Sequence, residues 1–335
     1  TTDATTDATA DVATTDVTAT DAASTDATTD ATADAATPLM VGLTVHLENR
    51  LEYDSTYAAA LQSFANTFAD AGAVLTLEPR NEVIADGGVV GATLTALEDA
   101  GHGVGSHAAE GMESDLTLTQ FTLDLVSKRD TLRGVATRVD HVSGICSPLD
   151  FVAAAADAHF TFTTGATASC ILAMTDRPAG YEDLTCASAT DSRCHAPYPT
   201  ELTQRIHPWR ARDGAHWLTD DATGRLVVIP SSGSVPCLTE EAASDGGLTN
   251  CRLDDSDVTL ALADLDAAIA AVDPSRVNTY YWVWGNWDWS STAVDPRALA
   301  RLLDEVRRRA NAGQVRWATA AQMYDAYVAW EATHR

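Results

Sequence analysis

The chain has 335 residues, 45% of them hydrophobic, and a formal charge of −27. That length and apolar content can bury a sizeable core, as one large α/β barrel or as two ordinary domains. Lys128 is the only lysine; an acidic chain so poor in cations argues against a nucleic-acid surface or an anionic membrane and suits a neutral or cationic partner such as an uncharged or amino sugar.

Residues 1–37 are almost entirely Thr, Asp and Ala in a loose "TTDAT" repeat. Such a segment buries too little apolar surface to offset the entropy of ordering it, so a disordered, self-repelling tether is expected. No apolar run reaches the length that crosses a bilayer, and the first residues lack the basic and apolar regions of a signal peptide. The expectation is the mature form of an exported protein, extracellular, cell-surface or periplasmic, with the tether following a lipidated or cleaved N-terminus.

From Pro38 onward strand and helix patterns alternate. "PLMVGLTVHLE" reads as a strand ending near His46 and Glu48, "STYAAALQSFANTFADAG" as an amphipathic helix, and "AVLTLEP" as a second strand. "GVVGATLTALEDAG" is a helix, "GVGSH" a third strand, "TLTQFTLDLVSKRDTLRGV" a helix, "HVSGICS" a fourth strand, "LDFVAAAADA" a helix and "FTFTTG" a fifth strand. An irregular insertion spans about residues 165–255. Alternation resumes with "GRLVVIPSSG", a helix over about 256–272, the strand "VNTYYWVWG", a helix over about 296–312, "QVRWAT" and a last helix from Ala320. The pattern predicts an α/β fold, a (β/α) barrel of roughly seven or eight parallel strands over residues 38–335, with a doubly wound open sheet as the alternative.

All six cysteines, Cys146, Cys170, Cys186, Cys194, Cys237 and Cys251, lie in the middle of the chain. An even number in a loop-rich region suggests disulfides in an oxidising compartment. Short loops favour Cys186 with Cys194 and Cys237 with Cys251, leaving Cys146 with Cys170; thiols in a reducing cytoplasm are the alternative.

On a barrel the loops at the C-terminal ends of strands build the site. Those ends carry His46 and Glu48, then Glu78, His107, Ser143 to Pro148, Ser231 and Ser232, and Trp284 to Asp288. Carboxylates, imidazoles and aromatic rings on one rim suit a sugar-binding cleft. His46 and Glu48 alternate along a strand and share a face. His102 lies before its strand, at the far end from the rim, where a packing or turn role is expected.

From about Pro38 to the C-terminus the sequence resembles the polysaccharide deacetylases of carbohydrate esterase family four, the NodB homology domain. "EDAGHGVGSHAAEG" is similar to that family's "GHEIGSHTxxH" motif, "VGLTVHLEN" stands where its first strand ends in two aspartates, and "GICSPLDFVAAAADAHFTFTTG" resembles its third motif. The resemblance implies a divalent metal, usually zinc, held by an aspartate and two histidines, with a second aspartate as base and a late histidine as acid. It implies an N- or O-acetylated glycan as substrate. His107 matches the first metal histidine; Gly111 replaces the second, Glu110 lies one residue short of it, and His46 and Leu47 replace the aspartates. His46, Glu48 and His107 form the expected replacement triad, since imidazole and carboxylate suit zinc.

Where the late histidine would fall, the chain has Asn286, Trp287, Asp288 and Trp289. Asp288 or His207 is the expected proton-transfer group, with Trp209, Arg210, Asn286 and Trp287 as candidate sugar contacts and "RIHPWR" as a lid. A Trp packed under a loop, with Arg210 bridging carbonyls, is the structural alternative. A two-carboxylate glycosidase built from Glu48, Glu78 and Asp288 competes with these readings, as does a glycan-binding protein that kept the barrel and lost the metal.

Overall fold

The computed structural model describes residues 37–47, 53–85, 88–108, 116–165, 167–185, 197–230, 253–284 and 294–335. The architecture is α/β with strands that are almost all parallel. β1 (Leu39–Leu47) is buried at every residue, as a strand covered on both faces must be. It pairs along one stretch with β2 (Thr76–Pro79), which pairs onward to β3 (Gly103–Val104). β9 (Thr279–Trp284) also pairs with β1, as does β10 (Val315–Trp317) near the start of β1. A second sheet runs β4 (Ser106–His107), β5 (His141–Ser143), β6 (Phe162–Thr163), β8 (Leu226–Val228) and β7 (Trp209–Ala211); its β7–β8 pair is antiparallel and the other described strand pairs are parallel.

The two sheets meet in one short segment. β3 and β4 are consecutive in the chain, separated by Gly105 alone, so the segment expected as a single strand pairs on one side with β2 and on the other with β5. The neighbours then follow in the barrel-like order β9, β1, β2, β3/β4, β5, β6, β8. Across the remaining interval the Tyr281 hydroxyl donates to the Ile229 carbonyl (3.2 Å) and accepts from the Gly165 amide (2.6 Å). Met323 and Tyr327 of the Ala320–His334 helix share one buried cluster with Val227 and Ile229 and with Tyr281 and Val283.

The helices begin where local side chains satisfy their first amides. Asp54 accepts from Thr56 and Tyr57 (2.9 Å each) to open the Ser55–Asp70 helix, and Thr117 with Gln120, Asp254 with Asp257 and Thr319 with Gln322 form capping boxes. The Ser55–Asp70 helix buries Tyr57, Leu61, Phe64 and Phe68, one stripe at helical spacing, in the core cluster that also holds residues of β1, β2 and β9. Tyr280, Trp282 and Trp284 point into that same helix-facing layer, whereas Tyr281 and Val283 face the terminal helix. Among the described residues no helix is long and apolar enough to cross a membrane.

Within the predicted insertion the structure adds a strand that the sequence pattern did not announce, since β7 pairs with β8 through Trp209↔Val228 and Ala211↔Leu226. Cys146 and Cys170 are joined, as elimination suggested; Cys186, Cys194, Cys237 and Cys251 lie outside the described residues, as do residues 1–36. His102 has the packing role expected of it: its Nδ1 accepts the Leu75 amide (3.0 Å) beneath the sheet.

Two outcomes are expected. Burial pushes the pKa of His102 below its ordinary 6.5, so the folded ring stays neutral at a pH where the unfolded chain takes up a proton. Its contribution is complete above pH 6.5 and is lost as the pH falls toward the folded value. Urea midpoints measured from pH 7 to 5 should therefore fall more steeply for the wild type than for His102→Leu. Replacing both Cys146 and Cys170, 24 residues apart, with alanine should cost about 3 kcal/mol in the same assay.

Candidate metal centre

The strand ends converge on one carboxylate. His46 lies near the C-terminal end of β1, and the register sets it directly beside Glu78 of β2. His107 ends β4 opposite Ser143 of β5, while Thr164 follows β6. Glu78 is completely buried, and His46, His107, His141, Ser143 and Thr164 are nearly so.

Both Glu78 oxygens are occupied by protein groups. Oε1 accepts from the Thr164 hydroxyl (2.7 Å) and lies 3.1 Å from His141 Nε2, which is itself 2.9 Å from the Thr164 hydroxyl. Oε2 accepts from the Ser143 hydroxyl and lies 3.1 Å from His46 Nε2. Ser143 thereby spends its only proton on Glu78, so its 2.8 Å contact with His107 Nδ1 is one in which the ring donates. His107 therefore carries its proton on Nδ1 and a lone pair on Nε2. Its ring stacks on that of His46 with centroids 4.0 Å apart.

The electrostatics match this arrangement. Burial alone would favour a protonated Glu78, but His141 and His46 outweigh it and hold the carboxyl well below the usual carboxylate range. For His107, burial and the neighbouring His46 push the pKa well below its ordinary value, so the ring is neutral. Arg80, whose amide donates to the Leu47 carbonyl (3.1 Å), and the buried Lys128 act on His107 in the same direction.

These are the protonation states that metal binding requires, a neutral imidazole and an ionised carboxylate. One ligand atom from each of His46, Glu78 and His107 lies within 4.8 Å of the others. The 3.1 Å between His46 Nε2 and Glu78 Oε2 is close to the roughly 3.3 Å separating two ligands on a tetrahedral ion with bonds near 2.0 Å. The residues present fit a divalent cation with two nitrogen ligands and one oxygen ligand.

The predicted residues fare unequally. His46 and His107 come together as expected, whereas Glu48, Asn286, Trp287 and Asp288 lie outside the described residues. The carboxylate that meets the two histidines is Glu78, which the sequence placed on the rim but suggested only as a glycosidase acid. What hid its role is register: Glu78 neighbours His46 across a ladder, 32 residues away in the chain.

The insertion residues are not brought to the cluster. His207 Nδ1 lies 3.1 Å from the Val277 carbonyl, and the Thr279 amide donates to the Ile206 carbonyl (2.8 Å), which sets His207 at the start of β9, whereas His46 lies beyond the level of its end. Trp209 is buried, donating its indole N–H to the Trp217 carbonyl (2.6 Å) and stacking on that ring. Arg210 pairs with Glu331 of the terminal helix (2.7 Å) and donates to the Gly224 carbonyl (3.1 Å). Their placement is that of the structural alternative, a Trp packed under a loop and an Arg bridging a carbonyl.

No protein-family model matches the chain, and no curated protein matches its sequence. Among solved structures, an inferred polysaccharide deacetylase from Mycobacterium smegmatis superposes with a TM-score of 0.55 at 12% identity, covering 89% of this chain and 92% of that one. A mutant CE4-family pseudoenzyme with restored enzymatic activity gives 0.43 at 9% identity, over 86% and 68% of the two chains. A family 4 acetyl xylan esterase from Clostridium thermocellum in complex with cobalt gives 0.38 at 11%, over 85% and 90%. The first of these carries the likeness, and at that identity it is a likeness of fold: the chain has the α/β architecture of a polysaccharide deacetylase structure.

Proposed function

We propose that the protein is a divalent-metal-dependent hydrolase that removes acetyl groups from a carbohydrate, with zinc as the metal and an extracellular or cell-surface glycan as substrate. The observation that carries this reading is the convergence of neutral His107, ionised Glu78 and His46 at the C-terminal ends of parallel strands. His46, Glu78 and His107 would hold the ion. When bound, such a cation supplies positive charge that polarises an acetyl carbonyl and lowers the pKa of water.

The chain's own residues supply the rest. Ser143 fixes the His107 tautomer so that Nε2 presents its lone pair. Asp288, four residues beyond the end of β9 in sequence, is the assigned proton donor to the leaving group, and Asn286 and Trp287 are assigned to the sugar. Glu48, next but one to His46 in the sequence, is a further candidate carboxylate. The acidic Thr-rich tether and the Cys146–Cys170 bond support an exported location.

One observation favours a second reading. Both Glu78 oxygens already have protein partners, so the buried carboxylate is held in place without an ion. In that reading the chain binds glycan without cleaving it.

Elemental analysis of protein purified without chelator, followed by acetate release from acetylated chitooligosaccharides, separates the two. The expected result is about one divalent ion per chain and acetate release that a chelator abolishes; neither metal nor acetate would leave the binding protein. His46→Ala and His107→Ala should each lower acetate release by about a hundredfold or more while the chain stays folded. Glu78→Leu should in addition cost about 3–5 kcal/mol in urea unfolding, because it strips two imidazoles and two hydroxyls of their buried acceptor.

A further inference from the structure

His141 is absent from every motif named above, yet its ring is buried and held on more than one side. It opens β5, two residues before Ser143, so both side chains leave the same face of that strand. One face of the ring stacks on Phe162, with centroids 4.5 Å apart and planes 7° from parallel. The ring also lies against the backbone at Gly105, the residue between β3 and β4. A Cβ there would stand 2.1 Å from His141 Nδ1 and 2.8 Å from Cγ and Cε1, so no other residue leaves the ring where it is. The slot directs Nε2 to Glu78 Oε1 (3.1 Å) and the Thr164 hydroxyl (2.9 Å).

We propose that His141 is the positioning residue for the metal-binding carboxylate: with Thr164 it holds Oε1 of Glu78 and thereby turns Oε2 toward His46 and His107. The inference rests on the metal reading above and adds a role that the ligand set alone does not contain. A carboxylate is free to rotate about its last bond, and a cation gains most from one whose orientation is already set by groups that do not compete for the ion. Here the orienting pair sits on one oxygen, while the other accepts from the Ser143 hydroxyl and faces His46.

Cobalt(II) titration of the purified full-length chain, followed by visible absorption, tests this without reference to turnover. The wild type should bind saturably. His141→Phe, which keeps the stacking surface but offers no donor, should weaken binding by about 10- to 100-fold and shift the visible band. His141→Gln, whose amide offers an N–H to the same oxygen, should recover affinity to within about threefold of wild type. Gly105→Ala should resemble His141→Phe, because the added carbon displaces the ring. Wild-type affinity and an unchanged band in His141→Phe would overturn the assignment. If that variant fails to melt cooperatively, Thr164→Val interrogates the same oxygen, and unchanged affinity there would overturn it equally. A wild type that takes up no cobalt brings down the metal reading and this inference together, an outcome distinct from a wild type that binds and variants that bind as well.

Discussion

A single dehydrated carboxylate organises the rim of this fold. Removing an ionised Glu78 from water costs several kcal/mol unless hydrogen bonds and opposite charge replace its hydration. The replacement comes from His46 on β1, His141 and Ser143 on β5 and Thr164 beyond β6, while His107 on β4 is tied in through Ser143. Each partner reaches the acid only if its strand ends at the right level, so the charge constrains the relative heights of neighbouring strands as well as the chemistry of the cluster.

Much of the scaffold was legible in the sequence. The alternating helix and strand patterns, the capping residues, the packing role of His102 and the Cys146–Cys170 pair all follow from local or nearly local signals. His46 and His107 were legible because each ends an apolar run. Glu78 was visible at a strand end, but its partnership with His46 is decided by the β1–β2 register, and Glu48, two residues after His46 in the sequence, offered a competing carboxylate. His141 carried no signal, because its importance lies in a contact with Gly105 that exists only when β5 pairs with β4. The insertion misled for a similar reason: "RIHPWR" looks like a polar aromatic loop until β7 adds to β8 and Arg210 finds Glu331, 121 residues later.

The deacetylase resemblance and the observed cluster make separate contributions. The resemblance and the fold likeness point to the same α/β architecture. The family pattern would take its metal carboxylate from the end of the first strand, where this chain has His46 and Leu47. In this chain the carboxylate beside the two histidines stands one strand over from that position, on β2 next to His46. A cation responds to the positions and charges of its ligands, whichever strand they leave from.

The spacing of these partners along the chain also bears on how the molecule assembles. Thr164 lies 86 residues beyond Glu78, so a partly formed fold that stops short of β6 contains an acid group better solvated than packed. Such a partial fold cannot dry its interior without stranding a charge. Arrival of the later strands lifts the penalty for the earlier ones, which welds the two ladders into one folding unit and leaves little room for a stable halfway state.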